Sequence, residues 1–126
     1  MNVLNNLKYT KNHEWVLIEG SVATVGITEH AQRELGDIVY LDIDTVDQEL
    51  KIDDVFGSVE AVKTVSDLFM PVSGKVLEFN DLLDSNPELV NQEPYGKGWI
   101  IKVEINKIHK NEELLSPDAY KEIIGL

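Results

Sequence analysis

The chain has 126 residues, of which 43% are apolar and 27% are charged, the balance of an ordinary globular protein. Its 11 basic and 23 acidic residues give a formal net charge of −12. An acidic surface repels phosphate groups, which argues against binding to nucleic acid or to anionic lipid, and the apolar runs are too short for a membrane helix. The charge fits either solubility alone or docking on basic partner proteins.

Several residue types that support catalysis or metal binding are scarce. The absence of cysteine excludes a disulfide, a thiolate metal site and a cysteine nucleophile. His13, His30 and His109 are far apart in sequence and form no His-x-x-x-His pair, which argues against zinc. The N-terminal residues show no export signal, so we expect a cytoplasmic protein, or a mitochondrial one only if a transit peptide was removed.

Short β-favouring runs separated by turn residues fill the first two thirds of the chain. Runs at 15–18 and 22–27 predict a hairpin around Gly20, and Thr28 and Gly36 delimit a predicted short helix. A mostly buried strand is predicted at residues 38–43, followed by a mainly loop-like acidic stretch. Further strands are predicted at 55–60, 65–70, 76–79 and 99–105.

The last third of the chain adds helices. Residues 81–90 predict a short helix that is interrupted at Pro87. Ser116 and Pro117 predict the start of a terminal helix. Its apolar stripe consists of Ala119, Tyr120, Ile123 and Ile124. Many short strands with a docked helix predict one domain, residues 1–126, built as a mainly β sandwich or barrel.

The residues show no set of groups typical of an enzyme. Ser58, Ser66 and Ser73 lack the Gly-x-Ser-x-Gly elbow that exposes a nucleophilic serine. Most of the carboxylates are expected on a solvated surface. Taken alone, these residues indicate a protein that catalyses no reaction.

The turn between the runs at 55–60 and 65–70 is unusual. Its sequence, Glu60-Ala61-Val62-Lys63-Thr64, contains none of the Gly, Pro, Asn or Asp residues that hairpin turns normally use. A lysine at such a tip projects its amine from the body on a flexible stem. That geometry suits the covalent attachment of a prosthetic group, and an ordinary surface lysine is the alternative.

The same segment is part of a series of motifs that extends along almost the whole chain. They are Tyr9-Thr10-Lys11-Asn12-His13-Glu14-Trp15, Val25-Gly26-Ile27-Thr28, Ala31-Gln32, Leu35-Gly36-Asp37-Ile38-Val39, Phe56-Gly57-Ser58-Val59-Glu60-Ala61-Val62-Lys63, Ser66-Asp67-Leu68, Pro71-Val72-Ser73-Gly74, Asn86-Pro87-Glu88-Leu89-Val90-Asn91 and Pro94-Tyr95-Gly96. In this order the motifs closely resemble the glycine cleavage system H protein family. The resemblance implies a barrel-sandwich hybrid of antiparallel sheets with short helices and a C-terminal helix.

The resemblance also implies a function. Lipoic acid would be attached to Lys63 in amide linkage by a lipoate ligase or an octanoyl transferase. The lipoyl arm would accept an aminomethyl group from the pyridoxal-phosphate glycine decarboxylase and present it to the aminomethyltransferase for transfer to tetrahydrofolate. Dihydrolipoyl dehydrogenase would then reoxidise it. The chain would be a monomeric carrier rather than an enzyme, and its thiol chemistry would be imported on the arm.

The resemblance assigns roles to four further residues. Glu60 matches an acidic position that the lipoate-attaching enzyme reads, and Gly74 matches a turn glycine that shapes the hairpin. Glu14 and Asp67 match acidic residues of a surface cleft that receives the ammonium of the loaded arm. For each of them a purely structural or solvated role is the alternative.

Other functions are also compatible with parts of the sequence. A biotinyl or lipoyl domain of a carboxylase or a 2-oxoacid dehydrogenase would favour Met-Lys-Met or Asp-Lys-Ala where this chain has Val62-Lys63-Thr64. A lipoate-relay protein that donates lipoyl groups to other lipoyl proteins fits the same tip. An acidic interaction module that is never modified is the fourth hypothesis. Ala61, where the family often has serine, leaves the identity of the attaching enzyme open.

Overall fold

Nine strands and four helices make up the part of the chain that this computed structural model describes, residues 3–105 and 114–126. The strands are β1 (Lys8–Tyr9), β2 (Glu14–Glu19), β3 (Val22–Ile27), β4 (Ile38–Asp42), β5 (Glu49–Leu50), β6 (Val55–Ala61), β7 (Val65–Phe69), β8 (Gly74–Phe79) and β9 (Ile101–Ile105). The helices are α1 (Glu29–Leu35), α2 (Leu82–Ser85), α3 (Leu89–Gln92) and α4 (Pro117–Ile124).

The strands form two antiparallel sheets. A six-stranded sheet has the order β1-β2-β3-β9-β8-β5, and a three-stranded sheet has the order β4-β6-β7. The predicted mainly β fold of antiparallel sheets with short helices and a C-terminal helix is confirmed. The two-residue strand β5, which pairs with β8, lies in the stretch that was predicted to be mainly loop.

Local signals in the sequence account for the ends of these elements. The β2–β3 hairpin turns at Gly20, whose φ of 64° is readily accessible to glycine. The Thr28 hydroxyl accepts a hydrogen bond from the Ala31 amide at 3.2 Å and caps α1, which ends at Gly36 with a φ of 81°. The Ser116 side chain caps α4 in the same way, so the predicted helix starts are confirmed.

The main hydrophobic core lies between the two sheets and draws on both. It includes Val25, Ile101 and Val103 of the large sheet and Leu41, Phe56, Val59 and Leu68 of the small one. Burial of these apolar side chains is the dominant favourable contribution to folding. It fixes the small sheet, and the hairpin it carries, against the large sheet.

A second apolar cluster attaches the terminal helix. It consists of Leu7, Tyr9, Trp15 and Tyr120, and the Tyr9 and Tyr120 rings stack with centroids 4.6 Å apart. The Trp15 indole donates to the Pro94 carbonyl oxygen at 2.9 Å. The predicted apolar stripe of α4 is wrong at Ile123, which is 49% exposed, because the short helix meets the sheet mainly through Tyr120.

The prediction that β4 is mostly buried is also wrong. Val39 and Tyr40 are 45% and 54% exposed. β4 is an edge strand of the small sheet, and its register with β6 shifts between Ile38 and Tyr40. One face of this sheet covers the core and the other faces solvent, so a run of apolar residues here does not imply burial on both sides.

Gly74 begins β8 rather than lying in a turn. It pairs with Leu50 of β5 and Ile105 of β9. A Cβ atom at this position would overlap the carbonyl oxygen of Glu104 and lie 2.8 Å from a methyl group of Val103. The position therefore needs glycine for space between strands, and the predicted turn role is wrong.

Candidate functional site

Lys63 lies at the tip of the β6–β7 hairpin. Glu60 pairs with Val65 at the base of the turn, and the Ala61 amide donates to the Thr64 carbonyl oxygen at 2.8 Å. Val62 is 72% exposed, and Lys63 and Thr64 are exposed as well. Residues 61–64 are all described, and none of them has a positive φ. The turn therefore closes without the left-handed residues that glycine and asparagine usually provide.

A third segment of the chain holds this tip. The Val62 amide donates to the Asp37 carbonyl oxygen at 3.1 Å, and the buried Ala61 pairs with Ile38. Lys63 itself makes no ion pair with any residue in the described ranges. The result is a fixed base from which one lysine amine extends into solvent.

A cleft of about 170 Å³ lies alongside the same hairpin. Its polar lining consists of Asn12, His13, Glu14, Glu34, Ser66 and Asp67. Ser66 is three residues beyond Lys63 on the strand that leads away from the tip, a separation of about 10 Å along an extended chain. The structure thus brings the predicted residues Glu14 and Asp67 to one cleft close to Lys63.

Glu14 is the buried acid of this cleft, with only 1% of its surface exposed. The Thr10 hydroxyl donates to one carboxyl oxygen at 2.9 Å, and the Phe69 amide of edge strand β7 donates to the other at 3.1 Å. Burial raises the pKa of Glu14 to about 7, although both hydrogen bonds act in the opposite direction. Among the described residues no cation pairs with this carboxyl group, so a cation that entered the cleft would stabilise its charged form.

Asp67 occupies a different position from Glu14. It borders the cleft but is exposed, and it pairs with Ser58. Side chains alternate between the two faces of a strand, so Asp67 lies on the solvent face while Ser66, opposite Val59, lies on the cleft face. The two predicted acids therefore differ: one is enclosed and the other stands at the rim.

Glu60 lies next to the tip and not at the cleft. It is exposed at the end of β6, between Tyr40 of β4 and Val65 of β7 in the pairing register. Its position agrees with a role in recognition at the tip. It does not line the cleft, because strand alternation puts it on the opposite face of the sheet from its neighbour Val59, which does.

The histidine pair beside Glu14 was not predicted from the sequence. The rings of His13 and His30 have centroids 4.6 Å apart, and His13 Nδ1 lies 2.9 Å from the Tyr120 hydroxyl. Burial first, and then the neighbouring His30, lower the pKa of His13. His30 Nε2 lies 3.4 Å from a carboxyl oxygen of Glu34. The spacing of His30 and Glu34 on α1 could have indicated their contact, but the approach of His13 is tertiary.

The described segments offer neither a metal site nor a membrane-spanning helix. They contain no group of three or more histidine, cysteine or acidic side chains placed to hold a metal ion. None of their helices is long and apolar enough to cross a membrane. His109, the third histidine of the sequence, lies outside the described residues.

Known proteins resemble this chain over almost its whole length. The family model described as Glycine cleavage H-protein matches residues 7–125. A glycine cleavage system H protein of Staphylococcus epidermidis is 56% identical over 125 residues, covering 99% of both chains. That of Staphylococcus haemolyticus is 55% identical over the same length and with the same coverage.

Similarity of structure leads to the same family. The crystal structure of a glycine cleavage system H protein from Mycobacterium marinum matches with a TM-score of 0.88 and 34% identity, covering 98% of this chain and 99% of that one. The resemblance noted in the motifs is thereby confirmed, and the chain belongs to the glycine cleavage H-protein family.

Proposed function

We propose that this chain is a lipoyl carrier of glycine cleavage in which Lys63 bears lipoic acid in amide linkage. The observation that carries the proposal is the exposed Lys63 amine on an externally anchored tip, about 10 Å along the strand from a cleft with a buried carboxyl group. Membership of the family supports a carrier role in glycine cleavage.

The residues present fit the proposed group. Lipoic acid would supply a dithiolane, chemistry that this cysteine-free chain cannot provide itself. Formation of the amide removes the positive charge of Lys63, so the tip then presents no cation of its own. The cleft volume of about 170 Å³ gives the far end of a long arm a place beside the hairpin.

The acids of the site have separate proposed tasks. Glu14, enclosed and without a cationic partner among the described residues, would receive an ammonium group that the arm brings into the cleft. Asp67 at the rim would attract that ammonium as it enters. Thr10 and the Phe69 amide hold the Glu14 carboxyl group in place by direct hydrogen bonds. Glu60 would be read by the enzyme that attaches the arm.

The proposed partners follow from the carrier role. They are the pyridoxal-phosphate glycine decarboxylase, the aminomethyltransferase, dihydrolipoyl dehydrogenase and the lipoate ligase or octanoyl transferase that loads Lys63. The chain would act as a substrate of these enzymes and catalyse none of the steps. We place it as a monomeric, single-domain carrier in the cytoplasm of a bacterium, in keeping with its Staphylococcus relatives.

Intact mass and peptide mapping test the attachment. Protein produced in a lipoate-replete host should carry one lipoyl adduct on Lys63, and Lys63→Arg should carry none. Lys51→Arg, at another exposed lysine, is the matched control and should keep the adduct. An unmodified Lys63 in the presence of an active lipoate ligase would refute the proposal.

A second measurement tests the role in glycine turnover. The fully lipoylated protein should support glycine-dependent exchange of CO2 when mixed with a purified glycine decarboxylase. A modified protein that supports no exchange would instead favour lipoate relay, the alternative that the tip sequence leaves open.

A further inference from the structure

The solvent face of the small sheet carries an unusual set of exposed side chains beside Lys63. Tyr40, Glu60 and Val65 are directly adjacent across strands β4, β6 and β7, and we call these three residues the outer row. Tyr40 is 54% exposed and Val65 is 61% exposed, with the even more exposed Val62 at the tip. Tyr40 and Val65 thus place exposed apolar surface on both sides of Glu60, and Val62 adds more at the tip.

The charged side chains of the small sheet are all acidic. Strands β4, β6 and β7 contain the acids Asp42, Glu60 and Asp67 and no basic residue. Strand alternation places Asp42 and Asp67 on the same face as the outer row, two residues further from the tip. Within residues 55–69 the only basic side chain is Lys63. An acid flanked by two exposed apolar side chains fits a partner that presents a basic group between apolar contacts.

The reach of an unmodified lysine limits which partner this can be. An enzyme that acylates Lys63 must bring its active site up to the tip, because the amine extends only a short side-chain length from the backbone. Its surface is then forced against the residues that flank the tip. An enzyme that acts at the far end of a loaded arm has no such constraint.

We propose that the outer row is the docking surface for the enzyme that acylates Lys63, and this inference rests on the proposed function. In the step itself the Lys63 nitrogen attacks the activated carboxyl carbon of the acyl donor. The new C–N bond forms, the bond to the leaving group breaks, and the nitrogen loses a proton. Tyr40 and Val65 contact apolar groups of the enzyme, and Glu60 between them pairs with a basic group.

The cleft lies on the other side of the small sheet from the proposed docking surface. Val59 and Ser66 line the cleft, and they lie on the opposite face of the small sheet from the outer row. Docking on the outer row itself therefore covers neither of these cleft residues, and Asp67, two residues further along β7, borders both surfaces. The two faces of one small sheet would serve two tasks, loading of the arm on one side and shelter of its cargo on the other.

Acylation kinetics with a purified lipoate ligase, lipoate and ATP test the proposal on the full-length unmodified chain. Tyr40→Ser and Val65→Ser should each lower kcat/KM for the carrier roughly tenfold, the loss typical of a strong interface residue. Val55→Ser is the matched control, because Val55 is also an exposed valine of the small sheet, at 45%, but lies at the end of β6 remote from the tip. Its kcat/KM should match that of the unaltered chain.

Competition separates docking from the chemistry of the amine. Lys63→Arg cannot be acylated and should inhibit acylation of the unaltered chain, whereas the double variant Lys63→Arg/Tyr40→Ser should inhibit at least several-fold more weakly. Thermal unfolding of every variant should show an unchanged Tm. Equal kcat/KM for all variants, or an equal loss in Val55→Ser, would overturn the docking surface. A failure of the unaltered chain to be acylated on Lys63 would instead overturn the proposed function.

Discussion

The two long hairpins of this protein close in different ways. The β2–β3 hairpin turns at Gly20, which adopts a left-handed conformation with a φ of 64°. The β6–β7 hairpin closes through residues 61–64 with no left-handed residue, and its tip is tied by the Val62 amide to the carbonyl oxygen of Asp37. The first turn depends on its own residue type, whereas the second depends on a neighbouring segment.

This difference leaves the second tip free to vary in sequence. Because an external hydrogen bond fixes the backbone, the side chains of Val62, Lys63 and Thr64 do not have to suit a tight turn. They can be exposed and selected for what they contact outside the protein. A hairpin tip without turn residues is therefore a signal of function as well as an irregularity of structure.

The largest expected effect comes from moving the lysine between the two tips. Ser21→Lys in a Lys63→Arg background places a lysine on the exposed tip of the first hairpin. We expect no lipoyl adduct at residue 21, because that tip lacks the outer row. Intact mass after expression in a lipoate-replete host measures this. Restoring Lys63 in the Ser21→Lys chain should restore a single adduct, and an adduct on residue 21 would show that exposure alone is sufficient.

A glycine in the sheet should matter more to stability than the glycine in the first turn. Gly74→Ala forces a methyl group against the Glu104 carbonyl oxygen, which belongs to the neighbouring strand backbone and cannot move aside easily. We expect the free energy of unfolding to fall by about 3 kcal/mol, the upper end of the usual cost of overpacking. Urea denaturation monitored by tryptophan fluorescence measures it. A loss below about 1 kcal/mol would show that β8 and β9 separate with little cost.

The second hairpin also differs in having the buried Glu14 carboxyl group beside it. The pKa of Glu14 in the folded state, about 7, lies above the ordinary glutamate value of 4.5, so the folded state binds the proton more tightly than the unfolded state. The contribution of this group to stability is therefore complete below about pH 4.5 and is lost as the pH rises through 7. The total change is about 3 kcal/mol.

Comparison with Glu14→Gln isolates this effect from the other carboxylates. The variant does not titrate at residue 14, so its stability relative to the unaltered chain should improve by about 3 kcal/mol between pH 4.5 and pH 8. Chemical denaturation at a series of pH values measures the difference. A difference that stays constant over this range would show that Glu14 ionises as easily in the folded state as in the unfolded state.

The sequence predicted the local parts of the fold well for physical reasons. Capping by Thr28 and Ser116 and the turn at Gly20 depend on neighbouring residues only, and each was recovered. The exposure of Val39 and Tyr40 was missed because it depends on which side of the small sheet faces the core. Strand β5 was missed because two residues with a distant partner leave no periodic pattern.

The residues of the candidate site could be predicted, but their burial and contacts could not. Lys63 was found from an unusual turn sequence, and the resemblance supplied Glu14, Asp67 and Glu60. The sequence could not show that Glu14 is enclosed while Asp67 stands at the rim, because this follows from strand alternation and from the packing of residues 10–14 against β7. The approach of His13 to His30 likewise joins segments that only the folded chain brings together.

The smallest expected effects compare the two tips directly. Gly20→Ala meets no neighbouring atom within 4 Å, but alanine must adopt a φ of 64°, so we expect a loss of about 1 kcal/mol. Lys63→Ala needs no change of backbone conformation and removes no ion pair with a described residue, so its effect should stay within about 0.5 kcal/mol. Denaturation of both variants under one condition provides the measurement. Equal losses would mean that the second turn also depends on its own residues, and that the hydrogen bond to Asp37 does not by itself hold the tip.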